Sequence, residues 1–240
     1  MVERKEDSAV MSDAPAAPFH VGLTPGRIVD IALDLTRQSH LAGWSIRDLA
    51  RRLDVAPSVI YHHVGGKDLL ARYVVERVLD GLAPPPADLD WQDWFGALLD
   101  ACYPPVVAHP GVAKWVLMHG PMFPSVLPVM EAGMRVLRRA GFGDRVGFAF
   151  AVLLNNAMLT VSMGDDRLLH EDDGPRDHAT MMEDFRRAAT TAGPGVTALA
   201  DTFITPFAQG GRAAARQREA YYTFVVRTTI AGLATLLPES

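Results

Sequence analysis

The chain has 240 residues, and 49% of them are hydrophobic, which is enough apolar side chain to build a core in one or two domains. Its single cysteine, Cys102, excludes an internal disulfide framework and any multi-cysteine metal site. The net charge of −5, from 23 basic and 28 acidic residues, argues against a protein that coats nucleic acid non-specifically. We find no signal peptide and no run of about 20 apolar residues, and we therefore expect a cytoplasmic protein with no membrane partner.

The first predicted helix follows a polar tail. Residues 1–20 are rich in alanine, proline and charge, a composition that predicts a disordered tail. Thr24 is a typical N-cap, and Pro25 stands at the first helical position. Apolar residues then recur at three- and four-residue spacing, which predicts an amphipathic helix that ends near Gln38.

Two short helices are predicted next. Ser45 and Asp48 have the spacing of a capping box, and this predicts a second helix over IRDLARRL. Asp54 follows it, and aspartate tolerates the left-handed conformation that a tight turn between helices requires. Pro57 begins the third helix, PSVIYHH, which ends at the glycine pair starting with Gly65. A longer helix, KDLLARYVVERVLDGL, completes a domain over residues 21–82.

The second and third helices form a helix-turn-helix, whose second helix enters the DNA major groove. So short a helix buries little, and adjacent histidines cannot share one helical face, so its polar residues are predicted to contact DNA. The candidates for base contacts are Arg47, Ser58, Val59 and His62, and those for phosphate contacts are Ser45, Tyr61, His63 and Lys67. Residues 20–80 contain eight basic and seven acidic side chains, so most of the excess acidity lies outside this domain.

A second helical domain is predicted over residues 83–240. APPPADLD breaks the helical pattern near residues 83–90 and marks a boundary between domains. The segment 164–197 is polar, acidic and interrupted by glycine and proline, which predicts a mobile loop with some helix near MMEDFRRAA. The expected fold is therefore all-α, with an N-terminal three-helix DNA-binding domain and a C-terminal helical domain for ligand binding and dimerisation.

Two predicted helices, 144–163 and 218–237, are apolar around much of their circumference, which is more than one core-facing stripe requires. Packed against their symmetry mates, they would form a four-helix bundle and make the protein a homodimer. The alternative is a pair of core helices in a monomer. A dimer would place two heads about one turn of DNA apart, so that they read a palindromic operator in double-stranded DNA.

The second domain is dense in methionine and aromatic residues, a composition that suits either a pocket for varied apolar ligands or an ordinary core. The residues that we expect to contact a small apolar or drug-like ligand are Leu98, Cys102, Trp115, Met118, His119, Phe123, Met134, Phe148 and Asn155. An unpaired buried amide costs about 1 to 3 kcal/mol, so Asn155 and Asn156 must find partners. They contact either the ligand or each other across the dimer interface, and the sequence leaves both alternatives open.

The run SIRDLARRLDVAPSVIYHHVGGKDLL, with the long helix after it, resembles the DNA-binding domain of the tetracycline-repressor (TetR) family of transcriptional regulators. WQDW, AHPGVAK and LRRAGF resemble segments of the tetracycline repressors themselves. The resemblance implies an all-helical homodimer whose ligand-binding core alters the separation of its two helix-turn-helix heads. It also implies DNA contacts at Arg47, Pro57, Ser58, Val59, Tyr61, His62, His63 and Lys67.

The positions that match the drug and magnesium ligands of the tetracycline repressors differ in this chain. Where those proteins have asparagine, phenylalanine, histidine, glutamine and, from the partner, a nearby glutamate, this chain has Leu98, Cys102, Val116, Gly133 and Gly164. Magnesium prefers oxygen ligands, which these side chains do not offer, so we expect no response to magnesium-bound tetracycline.

No cofactor, metal site or catalytic residue is expected, because no nucleophile has a base in reach and no carboxylates are paired on a rigid frame. The predicted function is that of a homodimeric repressor, released from its operator by a small apolar ligand. The alternatives are an activator-type regulator, a ligand-binding scaffold and, in a different class, an enzyme that modifies small molecules.

Overall fold

The computed structural model describes residues 23–168 and 178–237, and helices are the regular secondary structure throughout these ranges. No strand is present within them, so the predicted all-α class is confirmed. The predicted tail, residues 1–20, lies outside the described residues, and so does the 169–177 part of the predicted loop.

Four helices form the N-terminal head: α1 (Pro25–Gln38), α2 (Ile46–Leu53), α3 (Pro57–Val64) and α4 (Lys67–Leu79). Their ends follow the local sequence signals. Thr24 caps α1 by accepting a hydrogen bond from the Arg27 amide at 3.2 Å. Ser45 and Asp48 form the predicted reciprocal capping box at the start of α2, and Asp54 ends that helix in the left-handed conformation, with φ of 54°. These three predictions are confirmed.

The remaining helices form the C-terminal core. They are α5 (Trp91–Val107), α6 (Val112–His119), α7 (Leu127–Arg139), α8 (Val146–Leu168), α9 (His178–Ala189), α10 (Pro194–Leu199), α11 (Thr205–Ala208) and α12 (Gly211–Ala234). A 3₁₀ turn, Gly143–Arg145, precedes α8, and a π-helical segment, Ala200–Ile204, joins α10 to α11. Helix α8 is central, because α5, α6, α7 and α12 all pack against it.

The boundaries of three segments differ from those expected. Helix α8 extends to Leu168 instead of ending at residue 163, and α12 begins at Gly211 rather than at residue 218. The segment 164–197 contains more helix than a loop allows, because α9 and the first residues of α10 lie within it. Its residues form local hydrogen bonds, among them one from the Thr197 hydroxyl to the Ala189 carbonyl at 3.1 Å, and runs of alanine, arginine and methionine favour helix.

The stretch Gly143–Asp166 is long and apolar enough, by length and composition alone, to cross a membrane. A single helix of this kind is weak evidence for a membrane span, and Asn155 and Asn156 interrupt its apolar run. The contacts of α8 account for part of the apolar composition, because one face of the helix is buried against four other helices of the core, whereas Phe148, Leu159 and Met163 are exposed. A helix at the centre of a bundle passes the same composition test as a membrane span.

Candidate functional site

Helix α3 presents a polar surface to solvent because its apolar side chains hold it against the head. Ile60 and Val64 are almost completely buried, and they fix the helix on α1 and α2. On the outer side Ser58 and His62 are exposed, and Tyr61 is 53% exposed. Pro57 is exposed at the first helical position, whereas Val59 and His63 are partly buried. The seven-residue run Pro57–His63 therefore offers donors and acceptors along one short helix.

The start of α2 contributes a second part of this surface. Arg47 is exposed, whereas the Ser45 hydroxyl is engaged in the cap. It donates to Asp48 Oδ2 at 2.6 Å and accepts from the Asp48 amide at 3.2 Å. The Ser45 hydroxyl and the Ser45 amide, which donates to the same oxygen at 2.9 Å, hold the pKa of the Asp48 carboxyl below its usual value. Of the two predicted contacts on α2, Arg47 has the freer side chain.

A lysine that contacts a DNA phosphate must extend toward solvent, and Lys67 does not. Its ammonium donates to the Trp44 carbonyl and lies 3.0 Å from the centroid of the Trp44 ring. The indole is itself fixed, because its Nε1 donates to the Thr36 hydroxyl at 2.9 Å. Burial lowers the pKa of Lys67 to about 8. Lys67 must therefore leave Trp44 before it can reach a phosphate.

Four of the predicted ligand contacts fill the core instead of lining an open cavity. Leu98, Cys102 and Phe123 are buried, and Met134 is partly buried against them. Burial raises the pKa of the Cys102 thiol to about 12, so the thiol is protonated and unreactive. Gly133 permits close packing of the neighbouring rings, because a Cβ at that position would lie 3.2 Å from ring atoms of both Trp94 and Phe95.

Phe148 and Asn155 lie on the side of α8 that faces solvent. They are therefore not near the four predicted ligand contacts that fill the core. Phe148 is 77% exposed, and other exposed apolar residues follow it at helical spacing: Val152, Leu159 and Met163. Phe224 on the neighbouring α12 is 65% exposed. Asn156 donates to the Thr229 hydroxyl at 3.1 Å, which joins α8 to α12 within one chain. These exposed residues of α8 and α12 form one surface, which we call the bundle face.

Trp115, Met118 and His119 line a groove of about 560 Å³ between the head and the core. The sequence did not identify the rest of its lining, which comes from the turn after α1, from the start of α4 and from α6: His40, Leu41, Ala42, Lys67, Asp68, Leu69, Ala71, Arg72, Gly111 and Lys114. No local pattern indicates this site, since its walls come together only when the head packs on α6.

The head and the core are joined beside this groove. The Leu41 amide donates to the Pro110 carbonyl at 2.8 Å, and the His40 ring packs directly on Gly111. The Gly111 amide donates to Asp165 Oδ2 at 3.0 Å. Burial raises the pKa of Asp165 to about 7, against the opposing hydrogen bond from Gly111, and burial also lowers the pKa of His40. A chain of contacts thus connects α8 to the turn between α1 and α2.

Residues 83–236 match the sequence model of the family described as tetracyclin repressor-like, C-terminal domain. No curated protein sequence matches the chain significantly. Among solved structures, a possible TetR family transcriptional regulator from Streptomyces coelicolor is 25% identical with a TM-score of 0.68, over 88% of this chain and 99% of that one.

Two ligand-bound structures are also similar in fold. The TetR family protein ActR from Streptomyces coelicolor, in complex with actinorhodin, is 21% identical with a TM-score of 0.65, over 88% of this chain and 97% of that one. A TetR variant from Acinetobacter baumannii, in complex with minocycline, is 19% identical with a TM-score of 0.64, over 91% of this chain and 96% of that one.

Proposed function

The chain belongs to the tetracycline repressor-like family of transcriptional regulators, and from this we propose that it is a homodimeric repressor, released from a palindromic operator by a small ligand. The observation that carries the proposal is the geometry of α3, which is anchored by Ile60 and Val64 and leaves Ser58, Tyr61 and His62 exposed. A recognition helix needs this combination of a fixed backbone and free polar side chains. We propose a cytoplasmic regulator without enzymatic activity.

The proposed division of roles follows the positions of the residues on α2, α3 and α4. Arg47, Ser58, Val59 and His62 contact base edges, and Pro57 presents the start of α3 to the groove. Ser45, Tyr61, His63 and Lys67 contact backbone phosphates. Bases supply sequence preference and phosphates supply orientation and salt-dependent affinity. Lys67 makes its contact only in the conformation in which its ammonium has left Trp44.

The proposed dimer forms through the bundle face. Large apolar side chains exposed along two adjacent helices are typical of an interaction site. Pairing α8 and α12 with their symmetry mates would cover Phe148 and Phe224 and place two copies of α3 on one side of the molecule. Phe148 and Asn155 then belong to the interface between subunits.

The proposed response to ligand acts through α4, which joins the head to the core. Helix α4 packs on both α5 and α6, so a displacement of the core is transmitted to the head. To convert a 1:99 ratio of two states into 99:1, a ligand must prefer one state by about 5.5 kcal/mol. Separating the two recognition helices by a few ångströms is sufficient to misalign them with successive major grooves.

The proposal is tested by selecting random duplex DNA with the purified protein, followed by fluorescence anisotropy of the recovered sequence at two salt concentrations. We expect a palindrome bound with nanomolar affinity and a strong dependence on salt. Recovery of no preferred sequence, with equal binding to all duplexes, would contradict the proposal.

His62→Ala is expected to relax sequence preference at one or two base pairs of each half-site. Loss of a base contact costs about 1 to 3 kcal/mol of discrimination against the wrong base. The measurement is anisotropy with the selected duplex and with single-base variants of it, and the difference between them should shrink. His62 is exposed, so little change in stability is expected.

Lys67→Ala provides the contrast to that variant. If Lys67 contacts a phosphate, its removal weakens binding to all sequences equally and decreases the slope of log affinity against log salt by about 0.9. If both variants change the same single-base preferences, the division between base and phosphate contacts is wrong.

Phe148→Asp is expected to raise the dissociation constant of the dimer at least tenfold, which corresponds to about 1.4 kcal/mol. A charge placed in an apolar interface loses hydration without gaining a partner. Sedimentation equilibrium measures the effect, and Met181→Asp on α9 is the control, since Met181 is an exposed apolar residue outside the bundle face. Equal dissociation constants for the two variants would place the interface elsewhere.

A further inference from the structure

We propose that the groove between α4 and α6 is the effector site, and that its ligand is an organic anion: an acid group attached to a flat or chain-like apolar body. The assignment of the groove as an effector site rests on the proposed function, although binding to the groove can be measured without DNA. The buried residues Leu98, Cys102 and Phe123, which the sequence indicated as pocket lining, are closely packed instead.

The core side of the groove is an apolar wall suited to such a body. The rings of His119 and Trp115 are stacked with centroids 4.4 Å apart, and Trp115 is stacked with Phe123 at 5.5 Å. Met118 extends from the same helix and is 73% exposed, while Leu69 faces the groove from the head. Large apolar side chains exposed in a concave site are typical of ligand pockets, because a ligand removes them from water.

The head side of the groove is cationic. Lys67 and Arg72 are both on α4, and the Arg72 guanidinium lies 5.9 Å from the centroid of the Phe123 ring. Lys114 stands on α6 and pairs with Asp166 at 2.9 Å. Neither Lys67 nor Arg72 has a carboxylate partner in the described ranges, and the lining contributes one carboxylate, the exposed Asp68. Two unpaired cations therefore face an apolar wall.

An anion fits this arrangement better than a neutral ligand does. The ammonium of Lys67 is half-buried and contacts a neutral carbonyl and an aromatic ring. Asp48 and Asp68 act on it only from beyond ion-pair distance. A carboxylate that accepts from Arg72 makes charge-assisted hydrogen bonds, which are roughly twice as strong as neutral ones. Lys67 adds a second positive charge to the groove lining. The planar guanidinium of Arg72 can also bind a carboxylate through two parallel bonds.

The position of the groove connects binding to DNA release. Its walls belong to the head on one side and to the core on the other, so a ligand that contacts both fixes α4 relative to α6. An acid group in the groove also attracts the Lys67 ammonium, and it therefore competes with a DNA phosphate for that ammonium. Both effects favour the conformation that does not bind DNA. The ligand therefore binds that conformation more tightly, and this difference in affinity shifts the population toward it.

The test is isothermal titration calorimetry of the full chain with two acids and their matched alcohols. The probes are 2-naphthoate with 2-naphthalenemethanol, and dodecanoate with dodecanol. We expect at least one acid to bind at least tenfold more tightly than the alcohol that shares its apolar body. If neither acid binds more tightly than its alcohol, the groove does not select anions and the inference is overturned.

Two arginine variants locate the binding. Arg72→Gln should weaken binding of the preferred acid about tenfold or more and leave the alcohol unchanged, whereas Arg135→Gln, at an exposed position of α7 outside the groove lining, should not affect either. Equal affinities for both variants would mean that the acid binds elsewhere, and this would also overturn the inference. Circular dichroism checks that both variants are folded.

Different results would contradict the effector assignment and the proposed function. If selection recovers a palindrome but the acids do not bind, the protein is a repressor with a different effector site. If the acids bind through Arg72 and no DNA sequence is selected, the groove is a ligand site in a protein with another role. If the acid binds and the palindrome is not released, the groove binds anions without regulating the head, and the effector assignment is overturned.

Discussion

Gly111→Ala is expected to lower the free energy of unfolding by about 4 kcal/mol, from two causes that act at the same atom. The backbone of Gly111 has φ of +90°, which costs a non-glycine residue about 1 to 3 kcal/mol. An added Cβ would also clash with Cε1 of the His40 ring, and forcing extra volume into a packed site costs about 1 to 3 kcal/mol. Urea unfolding at fixed protein concentration measures the change.

Gly96→Ala is the matched control for this measurement. Gly96 lies within α5, and a Cβ there would have no heavy atom within 4 Å. Alanine favours helix over glycine by about 1 kcal/mol, so this variant should be as stable as the native chain or more so. If Gly111→Ala were also as stable as the native chain, the contact between His40 and Gly111 would not exist in solution.

Between pH 5 and pH 8 the native chain is expected to lose about 3 kcal/mol of stability through Asp165. Asp165→Asn is expected to lack this loss. The pKa of Asp165 is raised to about 7 in the folded chain, mainly by burial. A raised pKa means that the folded state binds the proton more tightly than the unfolded state does. The contribution to stability is therefore complete below the unfolded pKa, near 3.8, and is lost as the pH rises through about 7, at 1.36 kcal/mol per unit.

Two histidines give the stability a pH dependence of the opposite sign. Comparing the native chain with Asp165→Asn separates their effect from that of Asp165. Burial lowers the pKa of both His40 and His109, so these groups contribute stability above the unfolded pKa of 6.5 that is lost as the pH falls through the lowered values. Both the native chain and Asp165→Asn retain them, and their effect cancels in the difference. Identical pH profiles of unfolding for the two proteins would mean that Asp165 is not buried as a carboxylic acid.

Both variants act on the junction through which a ligand would influence the head. Asp165 holds the Gly111 amide, Gly111 accommodates the His40 ring, and the neighbouring Leu41 amide is bonded to Pro110. The groove opens beside these residues, since His40, Leu41 and Gly111 all contribute to its lining. The stability of the junction and the affinity of the groove for its ligand are therefore expected to be coupled.

The local features of the head could be predicted from sequence because each depends on a few neighbouring residues. The Ser45–Asp48 capping box, the left-handed Asp54 and the helix starting at Pro57 are of this kind. Helical periodicity also distinguishes the buried Ile60 from the exposed His62. Such signals require no knowledge of the tertiary fold.

The long-range features could not be predicted in this way. Periodicity shows that α8 has two apolar faces but not which neighbour each one meets, and Phe148 was therefore assigned to a ligand pocket although it lies on the exposed bundle face. Lys67 contacts the carbonyl and ring of Trp44, which is 23 residues away. The groove depends on how the head rests on α6, and no segment of the sequence carries a signal for it.

The pairing of two heads is tested most directly by changing the distance between half-sites. The protein is titrated by anisotropy against the selected palindrome and against the same duplex with about five base pairs inserted at its centre, which turns one half-site to the opposite face of the DNA. A dimer joined through the bundle face predicts a loss of affinity of at least a hundredfold. Equal affinity for the two duplexes would contradict a dimer that reads both half-sites together.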